Sequence, residues 1–173
     1  MILYLFFCLE REICMKKQAI FVAATGQHVG KTTICLGLVH GLKKRLKNVG
    51  FIKPVGQRGV KIEDSLHVDK DVALFKRHFK LSHSFTDMSP VLIPQGFTRQ
   101  YLDGEISLTK LCQRITTSYD LITRDSRFTV VEGTGHSGVG SIVDLNNAKV
   151  AGLLGLDVLL VVSGGLGSAL DQL

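Results

Sequence analysis

The sequence lacks the cysteine patterns of a metal-binding or disulfide-stabilised protein. Its four cysteines form neither a paired CxxC motif nor a disulfide framework, and they stand at Cys8, Cys14, Cys35 and Cys112. Cys35 and Cys112 fall on the apolar faces of predicted helices. The thiols therefore do not indicate a metal site or a secreted scaffold, and a reducing cytoplasm is the expected location.

The opening segment also lacks a hydrophobic run long enough to span a bilayer. MILYLFFCLEREIC (1–14) has no basic residue ahead of its apolar run, and Glu10 and Glu12 follow soon after, so it is a poor signal peptide. Met15, followed by two lysines and a strand-like segment, is the expected start of the domain. We therefore predict that residues 1–14 are an extension outside the domain and that the protein has no membrane partner. A short hydrophobic anchor or an extra helix stays open as the alternative.

Aromatic residues are absent from the densest cluster of positive charge. The net charge is +6, from 21 Lys and Arg against 15 Asp and Glu, which favours phosphate-rich ligands. The basic run KKRLK at 43–47 has no aromatic residue to stack on bases, and it falls where a predicted helix ends and its dipole favours cations. We therefore expect no nucleic-acid partner.

What the sequence does contain is an alternation of strand and helix patterns in a chain of 173 residues, of which 45% are hydrophobic. This alternation predicts an α/β fold, a parallel sheet flanked by helices, in one domain at 15–173. The predicted order is strand 19–24, a helix from Lys31 to about Leu46, strand 48–55, helix 69–80, a loop-rich stretch 82–106, helix 108–122, strand 128–132, a short helix 148–154, strand 157–162, and then a loop and another helix.

A glycine-rich loop connects the first predicted strand to the first helix. In ATGQHVGKTT (24–33), Thr25 stands where phosphate-binding loops usually have their first glycine, and Gly26 is expected to make the turn. A loop that enters a helix amino terminus exposes N–H groups that bind phosphate, although a purely structural turn is the alternative. Gly30 would admit the phosphates closely, Lys31 would reach the β- and γ-phosphates, and Thr32 would coordinate Mg²⁺. The predicted cofactors are ATP and Mg²⁺, and the predicted nucleotide-binding residues are Gly26, Gln27, His28, Val29, Gly30, Lys31, Thr32 and Thr33.

Acidic residues supply candidate metal ligands at the same edge of the sheet. Glu132 closes a hydrophobic strand, the position at which phosphate-loop proteins place the acid that holds the metal or its water; a merely solvated acid is the alternative. Asp69 and Asp71 could add a second metal ligand, with a helix N-cap role competing. His136, in GTGHSGVG, is interpreted as a polar loop residue rather than a catalytic base, and Asp64 is not assigned.

Lys53 is a candidate catalytic residue, together with Lys31 of the loop. Pro54 forces Lys53 into an extended conformation at the carboxyl end of the second predicted strand. There its ammonium would neutralise negative charge developing on a transferred phosphoryl group or bind a carboxylate substrate. An exposed lysine without a role is the alternative.

Three motifs together resemble one family. ATGQHVGKTT, FIKPVGQ and VVEGTGH, in this order and spacing, are similar to those of the dethiobiotin synthetase-like group of phosphate-loop proteins. That group also includes relatives of cobyrinic acid a,c-diamide synthase and the amino-terminal domain of some phosphate acetyltransferases. The resemblance runs from about residue 16 to the end and implies the fold of a P-loop NTPase.

For a synthetase, the resemblance implies ATP, Mg²⁺, carboxylation of a diamine and activation of the carbamate by phosphoryl transfer. It assigns phosphate binding to Lys31, and phosphate or carbamate contact to Lys53. The metal ligands that it implies are Thr32, Glu132 and Asp71, with Asp69 as the alternative to Asp71. The implied partners are a nucleotide, a small diamine or carboxylate substrate, and a second copy of the chain in a homodimer.

The sequence departs from the synthetase pattern in two segments and in length. Residues 26–28 replace a Thr-Asp pair of the synthetase loop, and 53–71 lacks its short glycine-containing substrate turn, which favours another substrate or none. The chain stops soon after its fourth clear strand, whereas the family continues through further strands and the purine-recognising segment. The domain is therefore expected to be partial and its sheet incomplete at the carboxyl-terminal end.

Three functional hypotheses follow. The first is an ATP-dependent ligase that activates a carboxylate or carbamate. The second is a regulatory domain that senses nucleotide without chemistry of its own, as in the phosphate acetyltransferases. The third is a remnant that binds nothing.

Overall fold

A computed structural model of the chain describes residues 18–62, 66–135, 140–165 and 167. The strands, in chain order, are β1 (Ala19–Ala24), β2 (Val49–Ile52), β3 (Val55–Gly56), β4 (Gly59–Lys61), β5 (His67–Asp69), β6 (Val91–Leu92), β7 (Phe128–Glu132) and β8 (Val158–Val161). The helices are α1 (Lys31–Lys43), α2 (Lys70–Phe79), α3 (Phe85–Met88), α4 (Phe97–Leu102), α5 (Leu108–Asp125) and α6 (Asn147–Leu154), with a 3-10 turn at Ser141–Val143. The predicted extension at 1–14 and the body of the predicted last helix lie outside the described residues.

The central sheet has four parallel strands in the order β2-β7-β1-β8. Phe21 of β1 pairs with Val131 of β7 on one side and with Val158 of β8 on the other. Successive residues of a strand point to opposite faces of the sheet, and four in a row are buried in both β2 and β7. Both faces are therefore covered, and the predicted parallel sheet flanked by helices is confirmed.

Aromatic packing fixes α2 against the sheet. The ring of Phe75 on α2 stacks on the ring of Phe51 on β2, with centroids 3.7 Å apart and planes 5° from parallel. Both side chains are fully buried. The start of α2 is thereby held beside the carboxyl end of β2, next to Lys53.

The segment predicted as one strand, 48–55, is divided in the structure. β2 ends at Ile52, and the N–H of Lys53 donates to the carbonyl of Met88 at 2.9 Å rather than to the central sheet. Pro54 has no N–H to donate, so the chain leaves the sheet here, and β3 pairs with β6 in a separate parallel pair. The prediction of a single strand was therefore wrong at its carboxyl end.

Other short elements were also missed by the sequence patterns. The loop-rich stretch 82–106 contains α3, β6 and α4, each of six residues or fewer. β4 and β5 form an antiparallel pair that no alternation signalled. Helix α1 ends at Lys43, and Leu46 lies in the following turn.

The carboxyl ends of β1, β2 and β7 meet at one edge because the strands are parallel and adjacent. The loop before α1, Lys53 and the residues after Glu132 all follow these ends. In the part of the chain that the structure describes, none of the helices has the length and apolar character needed to cross a membrane.

Candidate functional site

The glycine-rich loop turns twice in the left-handed region of backbone space before α1 begins. Gly30 has φ 106°, which an L side chain adopts only with strain, and His28 has φ 58°. Gly30 is the cap residue of α1 and has no side chain to bond the first N–H groups of the helix. These groups and the positive end of the helix dipole are therefore directed at the loop, as a phosphate site requires. Sequence reasoning placed the turn at Gly26 and missed the left-handed His28.

Lys31 is the first residue of α1 and is only 7% exposed. Its ammonium donates to the backbone carbonyl of Gly135, in the loop after β7. Burial lowers the pKa of Lys31, an effect that the carboxylate of Glu132 partly offsets and the ammonium of Lys53 reinforces. The first turn of α1 and the loop after β7 thus form two walls of one site.

Glu132 ends β7 directly beside the loop. Its side chain is 1% exposed, and its Oε1 accepts a hydrogen bond from the hydroxyl of Thr32 at 2.8 Å. Its Oε2 is buried and has no hydrogen-bond partner among the described residues. Burial raises the pKa of Glu132 to about 7, against the opposing attraction of Lys53. The alternative of a merely solvated acid is therefore wrong.

Lys53 is the centre of a buried charge cluster. It is 8% exposed, and its ammonium pairs with Asp71, with Asp69 at 3.1 Å and with Glu132 at 3.7 Å. Burial alone would lower the pKa of Lys53, but the three carboxylates outweigh it and the pKa lies above its usual range. The alternative of an exposed lysine at a strand end is therefore wrong, and the catalytic role of Lys53 stays a prediction.

Asp69 has a structural role in this cluster. Its Oδ1 accepts from the N–H of Asp71 at 2.9 Å and so caps α2, and its Oδ2 accepts from the N–H groups of Gln57 and Arg58 at 3.1 and 3.3 Å. The N-cap role that competed with metal binding is thus confirmed for Asp69. Asp71 lies in the first turn of α2 and points its carboxylate at Lys53.

The donor set fits a magnesium ion that is bound together with phosphates. No group of three or more His, Cys, Asp or Glu side chains within the described ranges is arranged to hold a metal by itself. Mg²⁺ is commonly held by one or two carboxylates, water and substrate phosphates, so such a group is not required. The unpartnered Oε2 of Glu132 and the adjacent hydroxyl of Thr32 are oxygen ligands of the right kind. Asp71 as a further ligand stays a prediction.

These residues line one cavity of about 280 Å³ at the carboxyl edge of the sheet. Of the predicted residues it contains Gln27, His28, Gly30, Lys31, Thr32, Thr33, Lys53, Asp69, Asp71 and Glu132. Gly26 and Val29 belong to the loop but are not among the described residues that line the cavity, whereas His136 and Asp64 lie outside the described residues. Sequence reasoning missed the opposite wall, formed by Val55, Gln57, Arg58 and Lys70. The run VGQR at 55–58, which follows Lys53 and Pro54, was the available signal. The backbone of 133–135, in the loop after Glu132, also lines the cavity.

The fold and the loop define a P-loop protein with a parallel α/β sheet. Residues 18–173 match the family model described as an AAA domain, and the chain belongs to this family. The similarity to dethiobiotin synthetases places it in the P-loop group that the sequence motifs indicated.

Two kinds of curated protein are similar to the chain. The ATP-dependent dethiobiotin synthetase BioD of Methanococcus vannielii is 28% identical over 153 residues, covering 86% of this chain and 66% of that protein. The enzyme of the same name from Caldicellulosiruptor saccharolyticus is 23% identical over 118 residues, covering 68% of this chain and 48% of that protein. The phosphate acetyltransferase of Pseudomonas aeruginosa is 31% identical over 132 residues, covering 75% of this chain and 17% of that protein. The chain thus spans about half to two thirds of the matched synthetases.

Proposed function

We propose that the protein is a Mg²⁺- and ATP-dependent ligase that activates a carboxylate or carbamate by phosphoryl transfer. The observation that carries this proposal is the position of Lys53, a buried cation in the same cavity as the phosphate loop. It is held 3.7 Å from Glu132 on the phosphate side and is paired with Asp71 on the other. A fixed cation beside the transferred group stabilises the charge that develops there.

Each residue of the cavity has a distinct part in the proposed reaction. Thr32 and Glu132 would hold Mg²⁺, which supplies charge neutralisation for the phosphates when it is bound. Lys31 and the first N–H groups of α1 would bind the β- and γ-phosphates. Lys53 would hold the carboxylate or carbamate in line with the γ-phosphate and neutralise both.

The reaction then balances in two steps. A substrate carboxylate oxygen forms a bond to the γ-phosphorus, and the bond from that phosphorus to the β-γ bridging oxygen breaks with its electrons leaving on ADP. An amine then attacks the acyl carbon of the mixed anhydride, forming the C–N bond. Inorganic phosphate leaves with the electrons of the broken C–O bond, and the proton of the amine passes to phosphate or solvent.

Phosphate release is the direct test. ATP and Mg²⁺ are supplied with a panel of diamines and carboxylates, and release by the unaltered protein is compared with that by Lys53→Gln and Lys53→Arg. We expect stimulation by at least one substrate, a loss of about a hundredfold in Lys53→Gln, and partial retention in Lys53→Arg, because the arginine keeps the charge. Thermal unfolding of each variant separates lost chemistry from lost folding. Nucleotide binding without turnover against the whole panel would contradict the ligase.

A nucleotide-sensing domain is the second candidate, and the similarity to phosphate acetyltransferases supports it. A sensor needs the phosphate loop but has no use for a buried cation opposite it, so the position of Lys53 favours the ligase. Titration with ATP distinguishes the ligase and the sensor from an inactive remnant. Only for a remnant would the unaltered protein and Lys31→Ala bind ATP equally poorly.

Location in the cytoplasm and assembly as a homodimer stay predictions.

A further inference from the structure

The wall opposite the phosphate loop is a turn whose backbone is fixed. Between β3 and β4, the N–H groups of Gln57 and Arg58 both donate to Oδ2 of the buried Asp69. The N–H of Lys70 donates to the carbonyl of Arg58 at 2.8 Å. A Cβ at Gly56 would lie 2.6 Å from the Cβ of Asp69, so the turn fits closely against the start of α2. The side chains of the turn are exposed at the rim of the cavity while their backbone is anchored.

Each acid that lines the described cavity has at least one partner on the protein. Asp69 caps α2, anchors the turn and pairs with Lys53 at 3.1 Å. Asp71 pairs with the same ammonium. Glu132 is bonded to Thr32 and faces the phosphate side. The two acids beside the turn, Asp69 and Asp71, are thus both paired with the ammonium of Lys53.

The two cationic side chains on the turn side of the cavity, unlike the acids, have no charged partner among the described residues. Arg58 and Lys70 line the cavity and are exposed, and neither forms an ion pair with a described acid. Because the charge of Lys53 is already neutralised by Asp69 and Asp71, it is Arg58 and Lys70 that give the rim of this half of the cavity a positive field. A diamine would bring like charge to it, whereas a carboxylate would gain charge-assisted hydrogen bonds, bidentate ones in the case of arginine.

We propose that the acceptor substrate is a small polycarboxylate, with one carboxylate activated beside Lys53 and another bound by Arg58 and Lys70. The activation of the first carboxylate rests on the proposed function. The binding of the second carboxylate does not, and it can be measured in the absence of any reaction. Arg58 and Lys70 are specificity-determining residues, and they act through charge at the rim and not on the reacting atoms.

The test is a calorimetric titration of glutarate and tricarballylate, with butyrate and putrescine as probes of one carboxylate and of a diamine. The protein is used both alone and preloaded with Mg²⁺ and a non-hydrolysable ATP analogue. We expect the two polycarboxylates to bind at least about tenfold more tightly than butyrate, because each hydrogen bond to a charged group contributes roughly that factor. Putrescine should bind more weakly than any of them.

Variants assign the effect to the rim. Arg58→Gln with Lys70→Gln should weaken tricarballylate binding by about tenfold or more and leave butyrate binding unchanged, and Arg58→Lys should recover part of the loss. The matched control is Lys44→Gln with Arg45→Gln, which removes the same charge at the far end of α1, where both side chains are exposed.

Two results would overturn the inference: equal affinity of the rim variant and its control for tricarballylate, or tighter binding of putrescine than of the polycarboxylates. Failure of the proposed function gives a different result. In that case no phosphate is released from ATP with any substrate, while the titrations still report whether Arg58 and Lys70 bind a polycarboxylate.

Discussion

The hydroxyl of Thr32, in the first turn of α1, donates to Oε1 of Glu132 at 2.8 Å, although 100 residues separate the two in the chain. Because parallel pairing sets β7 beside β1, the last residue of β7 is brought to the helix that follows β1. The other carboxylate oxygen of Glu132 is left buried and unpartnered within the described structure. This pair is the part of the site that we expect to determine the magnesium requirement.

We predict that Glu132→Gln raises the Mg²⁺ concentration needed for tight nucleotide binding by about tenfold or more, because a neutral amide is a poor ligand for a hard cation. The measurement is the affinity for a fluorescent ATP analogue over a series of Mg²⁺ concentrations, so turnover is not required. Glu105→Gln removes an exposed carboxylate and is the control. Unchanged Mg²⁺ dependence in Glu132→Gln would refute the assignment of Glu132 as a metal ligand.

The second prediction concerns Asp69 as the anchor of α2, Lys53 and the turn after β3. Asp69→Ala should lower the free energy of unfolding by about 3 kcal/mol, because it removes a helix cap and one partner of a buried ion pair. Asp69→Asn should cost less, since asparagine also caps helices. Chemical denaturation measures both, with Asp103→Ala as the control: its exposed pair with Arg99, at 3.8 Å, should contribute about 0.5 kcal/mol or less. Equal effects at Asp69 and Asp103 would contradict the anchoring role.

Two glycines test whether the backbone conformation of the phosphate loop is under strain. At both Gly30 and Gly41 an added Cβ would meet no atom within 4 Å, so space is not the difference between them. Gly30 has φ 106°, whereas Gly41 lies within α1. We predict that Gly30→Ala destabilises by about 1–2 kcal/mol and that Gly41→Ala stabilises by about 1 kcal/mol. The unfolding temperatures of the two variants should shift in opposite directions. A shift in the same direction would show that the left-handed backbone at Gly30 does not require glycine.

Sequence patterns predicted the elements that are long or deeply buried. The apolar run of β7 and the helical spacing of α5 are strong signals because whole faces of these elements are buried. The loop before α1 and the ends of β2 and β7 were placed at one edge because parallel topology requires it, and that is why Lys31, Lys53 and Glu132 were identified together.

What the sequence did not predict depends on contacts between distant segments. The exit of the chain from the sheet at Lys53 is set by a hydrogen bond to the carbonyl of Met88, and the turn at Gln57 by the carboxylate of Asp69. The strands that flank these contacts, β3 and β6, are each two residues long, which is too short for an alternation of apolar and polar residues to show in the sequence. Strand and helix periodicities therefore carried no signal for the wall that the turn after β3 forms.

His83 gives the fold a pH dependence of its own. Both of its ring nitrogens are inaccessible to solvent and have no hydrogen-bond partner among the described residues. Burial lowers the pKa of His83 below its usual 6.5; Asp125 of α5 and Asp87 of α3 oppose this effect, and Lys76 of α2 reinforces it. The folded state therefore binds this proton less readily than the unfolded state.

The sign of the effect follows from that difference. The stabilisation that depends on a neutral His83 is present above pH 6.5, the pKa of histidine in the unfolded chain. It is lost as the pH falls from there toward the lower pKa of the folded state, because the unfolded chain then binds a proton that the folded protein does not. His83→Gln cannot titrate, so its unfolding free energy should vary less between pH 7.5 and pH 5.5 than that of the unaltered protein. His40→Gln, at an exposed position of α1, is the control and should keep the original slope. Denaturant unfolding at several pH values measures the difference, and identical slopes in the three proteins would show that His83 is not the titrating group.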